Sequence, residues 1–62
     1  MNLKQAREAK GLSQSQLAKS AGIPLRTLQA LEQGSSDIRK ASAETVLDLA
    51  RVLECSPYDL IK

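Results

Sequence analysis

Arg26, Gln29 and Ala30 are spaced so that a helix carrying them would hold all three on one face, with Gln33 beside them. Their chemistry has a common theme. The planar fork of arginine matches O6 and N7 of guanine, the glutamine amide matches the hydrogen-bonding edge of adenine, and the alanine methyl suits the methyl group of thymine. At 100° per residue, Thr27, Leu28, Leu31 and Glu32 fall on the other side, with Leu25 at the edge. The leucines make that other side the packed one. An ordinary solvated face would also be polar, but no acidic residue falls on this one, and an acid there would repel phosphate.

Other chemistries lack their residues. With no histidine and one cysteine, there is no His-based triad, no Cys/His metal set and no internal disulfide. Neither an enzyme nor a cofactor is implied. Glu44 and Asp48 read as a solvated i, i+4 pair. Cys55 reads as a small, partly buried apolar residue whose neighbours Glu54 and Asp59 raise its thiol pKa and keep it inert.

Charge is unevenly spread within a net +2. Lys4, Arg7 and Lys10 outweigh Glu8, and Lys19, Arg26, Arg39 and Lys40 outweigh Glu32 and Asp37. After residue 40, Glu44, Asp48, Glu54 and Asp59 outweigh Arg51 and Lys62. The basic part favours a polyanionic partner. A membrane is a poor fit, since the polar face of the last long helix has the wrong sign for anionic lipid. No run of apolar residues suits a transmembrane helix or a signal peptide, and no disulfide is needed, so a cytoplasmic location is expected.

The elements that must position the Arg26 face are helices. The 62 residues read as one domain, 1–62, whose core is built from leucine, isoleucine, valine and alanine, because Tyr58 is its only aromatic residue. A first helix spans 2–10, with Leu3, Ala6, Arg7 and Lys10 on one stripe, and Gly11 ends it. Ser13 caps a second helix and Gln16 completes a capping box, with Leu17, Ala18 and Ala21 as the buried stripe. Pro24 opens a third helix at a first-turn position, and Gly34 ends it. Residues 35–41 read as a loop. Ser42 caps a fourth helix with a core-facing stripe of Ala43, Val46, Leu47, Ala50 and Leu53. Ser56, Pro57 and Asp59 start a fifth, anchored by Leu60 and Ile61. Five short helices make an all-α domain.

Between the helices at about 14–21 and 24–33, Gly22 interrupts the periodicity and Pro24 follows. A glycine-containing break lets two helices cross steeply and pushes the second out from the body, a rod about 10 Å across that fits a DNA major groove. Leu17-Ala18, Gly22-Ile23, Leu28, Leu31-Glu32 and Gly34, after the entry Gly11-Leu12-Ser13-Gln14, resemble the Cro- and phage-repressor-type (XRE-like) helix-turn-helix domain. The likeness runs from Leu3 to Ile61, through Leu47–Leu53 and the closing Ser56–Ile61. It implies a compact five-helix, phage-repressor-like fold that binds double-stranded DNA in a sequence-specific way, with the helix 24–33 in the major groove, as a repressor-like prokaryotic or phage regulator.

The resemblance also implies roles. Leu25, Arg26, Gln29 and Ala30 take the positions that face bases. Gln14, Lys19, Gln33, Ser35, Arg39 and Lys40 take positions beside the DNA backbone, with Gln14 also bracing the third helix. Arg7 and Glu32 match a partly buried structural ion pair. A homodimer, formed on DNA, is expected, with Tyr58, Leu60 and Ile61 as contacts. Pro24 and Leu25 depart from the family, which often places polar residues there. The rival reading is an antitoxin-like or adaptor module whose main partner is another protein.

Overall fold

The computed structural model describes residues 2–61; Met1 and Lys62, the two ends of the 1–62 domain read from the sequence, lie outside them. The chain runs α1 (Leu3–Ala9), α2 (Gln14–Ala21), α3 (Leu25–Gln33), a single 3₁₀ turn (Ile38–Lys40), α4 (Ala43–Leu53) and α5 (Pro57–Ile61), with no strand among the described residues. The fold is therefore all-α, as the patterning and the resemblance imply.

Local chemistry explains most boundaries. Ser13 accepts from the Gln16 amide while the Gln16 side chain accepts from the Ser13 amide, the capping box expected for α2. Asn2 and Gln5 form a second such box, so α1 starts at Leu3 and Asn2 stands outside as its cap. Ser42 caps α4. Pro24 is not the first residue of α3 but its cap, with ψ of 143°, and it supplies no side-chain bond. The residues read as a plain loop contain the 3₁₀ turn, started by the Asp37 carboxylate accepting from the Arg39 amide.

Three helices end in one device. The amides of Leu12, Ile23 and Cys55 reach back to the carbonyls of Arg7, Ala18 and Ala50, across a residue in the left-handed conformation. Leu12, Ile23 and Cys55 then each pack against the core. At the α2–α3 turn the left-handed residue is Gly22, φ +71°, which any side chain would strain. After α4 the same place is held by Glu54, φ +55°.

The core is centred on Leu17, Leu28 and Leu49, one each from α2, α3 and α4, all fully buried. Leu28 is what fastens α3 to the body, and truncating it to alanine would cost about 2–5 kcal/mol, a large part of what a domain this size holds.

Two helix faces read from the sequence need correction. On α4, Ala43 and Leu47 face outward and Leu49 is buried, because α4 packs on α2 and α5 through Val46, Leu49, Ala50 and Leu53. On α3, Thr27 is exposed, because the segment after Gly34 stands off and leaves an open groove beside it.

Candidate nucleic-acid interface

Leu28 and Leu31 point α3 inward, so the opposite side is offered to solvent. Arg26 and Gln33 are exposed there, while Gln29 and Ala30 are half-buried but accessible. Leu25 is 39% exposed at the start of the helix. The four residues expected to face bases thus lie along the accessible part of one helix.

Glu32, the one carboxylate on α3, is turned away from that face and neutralised. Arg7 Nε donates to Glu32 Oε2 at 2.7 Å and Arg7 Nη2 to Oε1 at 3.1 Å, with side-chain exposures of 11% and 3%. The hydrogen bond to Glu32 raises the Arg7 pKa above its ordinary value, against the opposing effect of burial. Arg7 Nη1 donates to the Leu12 carbonyl at 2.8 Å, so the guanidinium also holds the α1–α2 turn. Gln14 Nε2 donates to Glu32 Oε1 at 3.2 Å. One carboxylate thereby ties α3 to α1 and to the first turn of α2, and no buried side-chain polar atom among the described residues lacks a partner.

The face has two flanks. On one lies the N-terminus of α2 with Gln14, half-exposed; Lys19 lies a turn and a half along α2, exposed. On the other, the groove beside Thr27 and Leu31 is lined by Ser35, Ser36, Asp37 and Lys40. Ser35 Oγ donates to the Ala30 carbonyl at 3.4 Å, and the Ser36 amide to the same carbonyl at 3.1 Å, folding the chain back along the end of α3.

The two basic residues of this segment are not equivalent. Arg39 is engaged by Asp37, with Nη2 donating to Oδ2 at 2.9 Å and Nε to Oδ1 at 3.2 Å. That hydrogen bond holds the Asp37 carboxyl below its ordinary pKa and raises that of Arg39. The charge count from the sequence does not show this pair, which the 3₁₀ turn brings together. Lys40 is exposed and forms no ion pair among the described residues.

Elsewhere, Lys10 pairs with Glu54 at 2.9 Å. Glu44 is exposed, and Asp48, partly exposed, meets Arg51 at 3.7 Å. Burial is the main cause raising the Cys55 pKa, followed by Asp59, with Lys10 opposing; Glu54 plays no part. Among the described residues no group of His, Cys, Asp and Glu could hold a metal ion, and no helix is long and apolar enough to cross a membrane.

Two helices joined through a left-handed Gly22, the second anchored by Leu28 and presenting an acid-free polar face, define a helix-turn-helix protein. A family model described as helix-turn-helix matches residues 3–60, and the chain belongs to that family, the Cro- and phage-repressor type, whose members are DNA-binding regulators of transcription. No curated protein and no solved structure matches the chain.

Proposed function

We propose that α3 enters the major groove of duplex DNA and that the chain acts as a sequence-specific, repressor-like regulator. Arg26, Gln29 and Ala30 face base edges, and Leu25 joins them at the entry of the helix. Gln14 and Lys19 on one flank, with Gln33, Ser35 and Lys40 on the other, meet the sugar-phosphate backbone; Arg39 contributes less because Asp37 already holds it. The observation that carries this reading is the fate of Glu32. The single carboxylate of α3 is drawn inward by Arg7 and Gln14, so the outward face offers a polyanion no repulsion.

One helix of this length reads only a few base pairs. Specificity then requires two copies on half-sites about 10 bp apart, centre to centre. Tyr58 and Ile61, beside Leu47 on an apolar groove of α4 and α5, supply the surface for that contact; Leu60 is buried and takes no part. Selecting bound duplexes from a random pool tests both points, with a two-fold symmetric consensus expected. The same groove favours the second reading, a module whose main partner is a protein. Salt separates the two: groove binding weakens steeply as salt rises, and apolar docking does not.

A further inference from the structure

Resting on the groove-binding reading, we propose that Leu25 recognises a thymine by its C5-methyl group. Three large apolar side chains are exposed among the described residues, Leu25, Leu47 and Tyr58. Leu47 and Tyr58 line a common groove on α4 and α5. Leu25 stands apart from it, as the first residue of α3 and the neighbour of Arg26. It belongs neither to the buried core nor to the half-buried residues packed against it. Leu28 and Leu31 already anchor the helix. Packing therefore leaves the exposed part of Leu25 without a role.

Its chemistry is restrictive. Leucine has no donor and no acceptor, so it reads no hydrogen-bonding edge. Pressed against guanine, adenine or cytosine, it would cover O6, N7 or N4 and leave that group unpaired. Thymine alone among the four bases presents a methyl group in the major groove. Contact between that methyl and the leucine methyls removes apolar surface from water on both sides. Cytosine methylated at C5 carries the same group at the same place, so this position accepts 5-methylcytosine in preference to cytosine. Arg26, one residue on, takes its base within the same few base pairs, which places the thymine next to the guanine it reads.

The test uses the full chain and a duplex selected from random sequence, resynthesised with each thymine in turn replaced by deoxyuridine, which lacks only the methyl. At one thymine of each half-site, affinity should fall about fourfold, equivalent to ~0.8 kcal/mol for one buried methyl-sized group. Leu25→Ala should bind the thymine and deoxyuridine duplexes equally, and Leu25→Met, which keeps an apolar side chain, should retain the difference. Placing 5-methylcytosine at that position should outperform cytosine for the unaltered chain. Tolerance of deoxyuridine at every position of a duplex that is still bound would overturn the methyl contact and leave groove binding intact. Undiminished sensitivity in Leu25→Ala would overturn it too, by assigning the methyl to another residue such as Ala30. Failure of the unaltered chain to bind any duplex would overturn both readings.

Discussion

Arg7 and Glu32 are 25 positions apart in sequence and joined by two hydrogen bonds, 2.7 and 3.1 Å long, that lock α1 against α3. Both side chains are largely shielded from water, so the pair is worth more to the fold through what its loss exposes than through its own attraction. Glu32→Ala strands the Arg7 guanidinium and frees the Gln14 amide together. It should lower stability by about 1–3 kcal/mol in chemical denaturation, with DNA affinity falling only as the folded fraction falls. Glu32→Gln keeps an acceptor and should cost less. An unchanged melting temperature with collapsed DNA affinity would place Glu32 in the interface instead.

Glu54 occupies the left-handed position that glycine holds at the ends of α1 and α2. A side chain there crowds the backbone, and glycine removes that crowding. The compensating contact, the ion pair with Lys10, is exposed and weak. Glu54→Gly should therefore raise the melting temperature by a few degrees near neutral pH. The pair has its own pH signature. The hydrogen bond from Lys10 holds the Glu54 carboxyl below its ordinary pKa. Its contribution is complete above the ordinary carboxylate range and is lost as pH falls through the lower folded-state value. The advantage of Glu54→Gly should accordingly grow on acidification. A lower melting temperature for the variant at neutral pH would show the ion pair to outweigh the strain.

These contacts mark how far the sequence could be read. Ser13 and Gln16 form a box within one helical turn, so their pattern alone fixes where α2 begins. Leu28 and Leu31 likewise set the rotation of α3. The stripe on α4 was ambiguous because apolar residues cover too wide an arc. Leu47 and Leu49 both suit a packed face, and only the position of α2 and α5 against that helix decides for Leu49. Thr27 falls on the wheel's packed half for a similar reason: a wheel divides a helix in half, but the flank beside the loop opens onto a groove. On the accessible side of α3, the placement of Arg26 and Gln29 was legible from spacing. The engagement of Arg39 by Asp37 was not, since it depends on the 3₁₀ turn that brings the two side chains together.

Cys55 should be slow to alkylate. Burial raises its pKa and Asp59 adds to that, so little thiolate is present at neutral pH. Labelling by iodoacetamide at pH 7 should run well behind a free thiol and accelerate on unfolding in urea. A rate equal to that of free cysteine in the folded protein would mean that α5 opens readily.

Asp37 restrains the positive charge of its own loop. Removing it leaves Arg39 free and takes one anion from beside the proposed backbone contact. Asp37→Asn keeps an acceptor for the Arg39 amide and so preserves the 3₁₀ turn. It should tighten DNA binding and steepen the salt dependence by about one unit of slope. Weaker binding by the variant would show that the ion pair aims Arg39 at phosphate rather than withholding it.

Arg26 and Lys40 should fail in different ways when removed. Arg26 is exposed in the first turn of α3, the end proposed to enter the groove, and its fork can bond O6 and N7 of one guanine together. Such a pair is worth about 1–3 kcal/mol against a wrong base. Lys40 lies beyond the end of α3 in the flanking groove, exposed and without an ion-pair partner among the described residues, and its single charged tip suits a phosphate rather than a base edge. Arg26→Ala should flatten preference at one base pair of each half-site and leave the other positions intact. Lys40→Ala should weaken every sequence alike and reduce the salt slope by about 1. Arg39→Ala should do less than Lys40→Ala, because Asp37 already neutralises that charge. The measurement is affinity for a panel of single-base variants of a selected duplex at two salt concentrations. Uniform weakening from Arg26→Ala would make it a phosphate contact and leave Gln29, further along the same face, as the main reader of bases.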